Sequence, residues 1–166
     1  MQRCSWCGLD PLYVNYHDEE WGVPDYSSQA LWEKLVLDGF QAGLSWLTIL
    51  KKRDNFRNAF KGFNPYEVAK FTDKDIDNLM LDNGIVRNRS KIISTIKGAQ
   101  IWQDIESSIG FNNYIWNFVD GAPIQNNFIS MSEVPKFTDL STKISKDLKS
   151  HGFNFCGPTI VYAWME

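Results

Sequence analysis

An acid, a flat ring and a run of cations stand within one short stretch of this chain: Asp38, Trp46 and Lys51-Lys52-Arg53, with Gly39 and Gly43 between acid and ring. A carboxylate accepts hydrogen bonds from the edge of a heterocycle. An indole offers it a stacking face, and a basic group meets phosphate. The glycines let the backbone turn sharply or let another group come close. The order suits a protein that holds a flat, polar-edged ring beside a polyanion. The same residues also describe a plain helix–turn–helix with a core tryptophan and a solvated basic end.

Three further groups carry possible chemistry. Residues 141–165 read as two helices joined by His151-Gly152-Phe153-Asn154-Phe155-Cys156-Gly157. A glycine on each side lets backbone N–H groups converge on one oxygen, and the second helix adds its positive N-terminus, which suits phosphate. Lys143, Lys146 and Lys149 recur every third residue on one side of the first helix. Cys4, Cys7 and His17 are soft ligands, but tetrahedral zinc needs four. A redox Cys-x2-Cys lacks the βαβ setting that would support it, and ordinary buried thiols explain the pair equally well. Arg87, Arg89 and Lys91 sit at the start of a long helix, where the dipole does not favour cations, so a phosphate partner or plain solvation accounts for them.

The elements that must position these groups are helical. Ser27 or Ser28 caps a helix carrying Leu31, Leu35 and Leu37 and ending near Gly39, with Asp38 at its end. A second helix holds Leu44, Leu47 and Ile49-Leu50, and a third runs around Asp54–Phe60. Pro65 opens a short helix, and Thr72-Asp73-Lys74-Asp75 is close to a capping box for one that stops at Asn83-Gly84. The longest spans about Arg89 to Ser107, with Ile92, Ile93, Ile96, Ala99 and Ile101 as its apolar face. Phe111–Val119 forms an aromatic helix, Ser141 caps one through Leu148, and Pro158 begins the last. Residues 1–27 read as a structured loop region with at most a short helix. No period-two alternation, repeat or linker interrupts this, so the fold class is all-α: a compact helical domain with a cleft.

Composition narrows the partners. Seven Trp, six Tyr and eleven Phe are enough to build an aromatic pocket as well as a core. The net charge of −3 means that any nucleic-acid site is a local patch. Three cysteines, with no leader and no long apolar run, point to a reduced, cytoplasmic protein with no membrane partner.

Several motifs together resemble the bacterial DNA-3-methyladenine glycosylase I family. They are Arg3-Cys4-x-Trp6, Asp10-Pro11-Leu12-Tyr13, Tyr16-His17-Asp18-x-Glu20-Trp21-Gly22-Val23-Pro24 and Gln41-Ala42-Gly43-Leu44-Ser45-Trp46, followed by Gly84-Ile85-Val86-Arg87-Asn88-Arg89-x-Lys91-Ile92 and Gly157-Pro158-Thr159-Ile160. The resemblance runs from Arg3 to Met165. It implies a helix-hairpin-helix fold in a single glycosylase domain over residues 1–166. It implies a monomer that flips 3-methyladenine out of double-stranded alkylated DNA and hydrolyses its N-glycosidic bond. By the same resemblance Asp38 is the pocket acid, Tyr16 the pocket tyrosine, Trp46 the stacking ring, and Trp6 and Trp21 further walls. Gly43 and Leu44 correspond to the loop inserted into the base stack. DNA would meet Gly152, Phe153, Gly157 and Thr159 of the hairpin, with Lys51, Lys52, Arg53, Arg87 and Arg89.

Two departures follow. The family's pocket acid is usually glutamate, where this chain has Asp38. The family's zinc would take Cys4 and His17 as two of four ligands, the other two lying beyond Glu166, so the resemblance implies a C-terminally short relative. A weakly active or inactive relative that binds damaged DNA or free methylated base is the alternative function, and a thiol oxidoreductase on Cys4 and Cys7 an unrelated third.

Overall fold

Helix starts in this protein are set by side chains that reach back to free backbone N–H groups. The computed structural model describes residues 3–166. Asp10 accepts from Leu12 N at the head of α1 (Pro11–Glu19), and Ser27 from Ala30 N at the head of α2 (Ser28–Gln41). Ser45 accepts from Thr48 N for α3 (Trp46–Ala59), and Asn64 from Tyr66 N for α4 (Pro65–Val68). Thr72 and Asp75 form a reciprocal box for α5 (Asp73–Leu81), and Asn88 caps α6 (Arg89–Ser108). After α7 (Phe111–Trp116) and an irregular crossing come α8 (Asp139–His151) and α9 (Pro158–Met165). Each such cap contributes about 1 kcal/mol. The described residues hold only helices and loops, as the all-α reading expects.

Several boundaries differ from the sequence reading. Residues 1–27 hold more helix than expected: α1, and a 3-10 turn over Ser5–Cys7. Helix α2 runs through Gly39 to Gln41, so Asp38 lies inside it and not at its end. Gly39 is there for contact: a Cβ on it would stand 3.2 Å from the carbonyl oxygen of Phe155. The second and third expected helices are one, α3, because Phe56 and Phe60 continue the buried face begun by Ile49 and Leu50. Leu44 precedes its cap. Thr138, not Ser141, caps α8, with Ser141 bonding back from the third position. On α6, Ile92, Ile96 and Ala99 are buried but Ile93 is exposed, since it falls off the stripe those three define.

The core is built on α2, which packs against α3, α6, α7 and α9. Trp32, Phe40, Phe56, Phe60 and Phe63 are fully buried, and Phe40, Phe56 and Phe60 meet at centroid distances of 4.8 to 6.3 Å. Burial of each such side chain stabilises the fold by about 1.5–3 kcal/mol. The Trp164 indole donates to Leu31 O at 3.0 Å, which ties α9 to the first turn of α2. Among the described residues no helix is long and apolar enough to cross a membrane.

Candidate active site

Asp38 and Lys34 are one helical turn apart on α2 and therefore share a face. The Lys34 ammonium donates to both carboxylate oxygens of Asp38, at 2.8 and 2.7 Å. It also lies 4.3 Å from the centroid of the Trp46 ring. Trp46 opens α3 directly after the turn at Ala42–Ser45, where Gly43 has φ +85° and so needs no Cβ. Tyr16 reaches the same place from α1, its ring 5.5 Å from that of Trp46 and tilted by 55°. Trp6 stacks behind it, within 5.0 Å of Tyr13, 5.3 Å of Trp21 and 6.4 Å of Tyr16. The structure thus gathers Asp38, Tyr16, Trp46, Trp6 and Trp21 from three helices, the N-terminal 3-10 turn and the turn after α1 into one aromatic, acid-based site.

The electrostatics of this site follow from burial. Asp38 is 1% exposed, and desolvation pushes its carboxyl up to about 6, with Lys34 pulling it part of the way back. Burial also pushes the Tyr16 phenol upward, and the charges of Asp38 and Glu20 add to that, so Tyr16 stays a neutral donor. The Trp46 indole N–H is buried with no hydrogen-bond partner. Buried donors are nearly always satisfied, so an orphan inside a polar site marks a place for an acceptor. Trp32 carries the other such N–H, but it lines a separate, water-sized cavity of about 30 Å³ with Lys91, Thr95 and Asn154.

Most of the cations expected to meet DNA also have partners within the protein. Lys51 pairs with Asp10 at 2.9 Å and remains largely exposed. Lys52 donates to Asn83 O and Gly84 O, which fastens α3 to the end of α5. Arg53 makes a two-pronged ion pair with Glu20 at 2.5 and 2.8 Å, bracing α3 against α1. Arg89 pairs with Asp77 at 2.7 Å, and Arg87 is exposed. Lys91 is buried: it donates to Phe40 O and Ala42 O and so clamps the C-terminal carbonyls of α2, just past Asp38.

The hairpin between α8 and α9 is present as expected. Gly152 adopts φ +104°, and a Cβ there would meet Ile101 at 3.2 Å. Phe153 is buried, 6.1 Å from the Phe111 ring, so it anchors the hairpin to the core and offers no face to DNA. Ser145 donates to Cys156 O at 2.6 Å across the loop. Gly157 has an ordinary φ and nothing within 4 Å of a Cβ, and Thr159 is exposed beside it. Leu44, 42% exposed, stands on the α2–α3 turn next to Gly43.

Cys4 and His17 are brought together. The Cys4 backbone N–H donates to His17 Nε2 at 3.2 Å, and His17 Nδ1 lies 2.9 Å from Asp18. Asp18, held by Arg3 and His17, sits well below the usual carboxylate range, at about 2. A carboxylate on Nδ1 fixes the tautomer in which Nε2 carries the lone pair, and in this structure that lone pair accepts the Cys4 N–H. The count does not fit zinc, however: among the described residues no three His, Cys, Asp or Glu side chains gather in a metal-ligating group. Cys7 turns away, its thiol directed to Gly8 O.

Sequence reasoning missed Lys34, Lys91 and Glu166. Lys34 carried a signal in its four-residue spacing from Asp38. Lys91 stands in sequence with Arg87 and Arg89 as a phosphate-binding or solvated cation, and no pattern points to the Phe40 and Ala42 carbonyls. Glu166 is pushed upward by desolvation and feels Lys34, and its backbone oxygen accepts from Gly22 N at 2.9 Å.

Several known proteins are similar to this chain. A family model described as methyladenine glycosylase matches residues 6–166. The chain is 44% identical to the DNA-3-methyladenine glycosylase of Haemophilus influenzae over 165 residues, 99% of this chain and 89% of that protein. It is also 44% identical to DNA-3-methyladenine glycosylase 1 of Escherichia coli over 167 residues, 100% of this chain and 89% of that one. Among solved structures, a tyrosine-to-phenylalanine variant of 3-methyladenine DNA glycosylase I in complex with 3-methyladenine superimposes with a TM-score of 0.96. It is 41% identical, over 100% of this chain and 90% of that one.

Proposed function

This chain belongs to the methyladenine glycosylase family, and from that premise we infer that the site around Asp38 is where it takes up 3-methyladenine. The protein is a DNA repair glycosylase: it excises 3-methyladenine from alkylated DNA by hydrolysing the N-glycosidic bond. Its partners are alkylated DNA and the methylated base. A nucleic-acid substrate and three free cysteines fit a cytoplasmic location.

The observation that carries the site assignment is a fully buried carboxylate beside an indole face and a neutral phenol. Methylation at N3 makes the purine of the nucleotide cationic and a good leaving group. The chain must therefore extract the nucleotide, hold the ring and favour its departure. Asp38 accepts from the N–H edge and opposes the positive charge. Trp46 supplies the stacking face, to which a cationic ring is drawn more strongly than a neutral one. Leu44 fills the gap left in the base stack. Backbone N–H groups around Gly157, with Thr159 and the head of α9, hold the phosphate and carry no sequence information. No residue of the pocket is placed to activate water strongly, so departure of the base is driven mainly by its own charge.

The test is release of free 3-methyladenine from methylated duplex DNA by the purified chain, with Asp38→Asn alongside. Release by the parent and a drop of roughly 10- to 100-fold in Asp38→Asn, a hydrogen bond's worth of about 1–3 kcal/mol, is the expected result. Tight binding of methylated DNA without release would establish the binding-only alternative, and full activity of Asp38→Asn would remove Asp38 from the pocket.

A further inference from the structure

We propose that Lys34 is a specificity-determining residue: its ammonium occupies the base pocket as an internal cation that the methylated base must displace. The proposal rests on the reading of Asp38 and Trp46 as the base site. Lys34 Nζ bonds both oxygens of Asp38, at 2.8 and 2.7 Å, and sits 4.3 Å from the centroid of Trp46. A hydrogen bond to the acid and a place over the indole are the two contacts assigned above to the cationic purine. Tyr16 also crowds Trp46. Tyr16 stands 5.5 Å away at a 55° tilt, whereas a base laid between two faces needs about 7 Å, twice a van der Waals contact of about 3.5 Å. A base that stacks on Trp46 therefore does not fit between the two rings, and it competes with the ammonium that lies over the indole.

The lysine is built to leave. Its side chain is 29% exposed while that of Asp38 is 2% exposed, so the lysine is the outer member of the pair. Glu20 and Glu166 both feel its charge and offer it acidic surroundings once it swings out. The shorter acid fits this arrangement. Aspartate falls about 1.5 Å short of where a glutamate carboxylate would reach, and the ammonium fills that gap.

Displacement makes the pocket selective. A methylated purine still joined to its sugar carries a positive charge that replaces the one it removes, so Asp38 stays compensated. An undamaged adenine brings none and leaves a buried carboxylate unpaired, which is costly. The same competition lowers affinity for the right base, because apparent affinity scales with the fraction of molecules whose pocket is open.

Lys34→Met keeps the unbranched stem and removes the charge. Binding of 3-methyladenine is measured with its N9-methyl cation, which keeps the charge that the free base loses with its glycosidic bond, and binding of adenine with 9-methyladenine, both by tryptophan fluorescence and calorimetry; stability is read by urea unfolding. The expected result is about tenfold tighter 3-methyladenine binding, for a pocket open in about a tenth of parent molecules. Adenine should gain more, so discrimination narrows. Stability should fall at the same time, since Asp38 loses its partner. A lysine with a purely structural role would lower affinity and stability together. Lys34→Gln, which keeps a donor without the charge, should shift both affinities the same way and covers the case in which Lys34→Met does not fold. Lys34→Arg should bind like the parent. Unchanged or weaker 3-methyladenine binding in the folded neutral variant overturns the proposal. Asp38→Asn separates the two failures. If it loses 3-methyladenine while the neutral Lys34 variants do not differ from the parent, Lys34 is not the plug. If it binds 3-methyladenine as the parent does, the pocket reading itself fails.

Discussion

Replacing Asp38 with asparagine should make the protein more stable and less able to hold its ligand, and the stability gain should depend on pH in a calculable way. The carboxyl sits at about 6 in the folded chain against an ordinary value of 3.8. Below pH 3.8 both folded and unfolded forms are protonated, so the acid contributes no difference. Between 3.8 and about 6 the folded chain still holds a proton that the unfolded chain has lost, so the folded state loses ground as pH rises. Above about 6 both are ionised and the full cost is present. Two pKa units at 1.36 kcal/mol each put that cost at about 3 kcal/mol, the Lys34 offset already included. Asp38→Asn removes it, while Lys34, partly exposed, turns to solvent. Urea unfolding of both proteins from pH 4 to pH 8 reads the difference directly, because groups other than Asp38 titrate in both and largely cancel. The stability of Asp38→Asn relative to the parent should climb through the window from 3.8 to about 6 and stay level above it. A difference that does not vary with pH would show that burial does not govern this carboxyl. A parent that gains on the variant as pH rises would mean that Lys34 outweighs desolvation and that the acid lies below its ordinary range.

Two further outcomes can be checked together. Gly157→Ala should weaken binding to any duplex alike without unfolding the chain, since a Cβ there meets nothing in the protein but would stand before the phosphate-facing backbone; titration at rising salt on several duplex sequences reads it, and a loss confined to one sequence, or none, counts against the hairpin as the phosphate site. Zinc should not survive dialysis of the 166-residue chain against a chelator, because Cys4 and His17 supply two donors where a closed site takes four; stoichiometric metal by atomic absorption afterwards would refute this.

How far the sequence reaches depends on whether a residue's role is decided locally. Caps and stops were legible at Ser27, Thr72 and Pro158, because each is a bond or clash between near neighbours in the chain. The pocket aromatics were legible through the family resemblance, and periodicity alone would not have joined Trp6 to Trp46. Gly39 shows the limit in one residue. In sequence it resembles a helix stop, yet its use is to let the hairpin backbone at Phe155 press against α2, a contact 116 positions away that no local pattern contains.

The cations make the same point with a geometric reason behind it. Consecutive residues on an α-helix diverge by about 100°, since 3.6 of them complete a turn. Lys51, Lys52 and Arg53 are adjacent in sequence and so must face three directions, and they do: toward Asp10, toward the Asn83 and Gly84 carbonyls, and toward Glu20. A run of like charges on a helix is therefore weak evidence for a common phosphate, and four-residue spacing is the better guide to shared work. Lys34 and Asp38 have that spacing, but whether such a pair is a solvated rung or the floor of a pocket depends on what covers it. Here α1 and α3 bring Tyr16 and Trp46 over the acid and exclude water from it. That exclusion raises the carboxyl toward neutrality and makes its partner costly to lose. It turns an ordinary i, i+4 pairing into a buried carboxylate held by a lysine that lies over an indole ring.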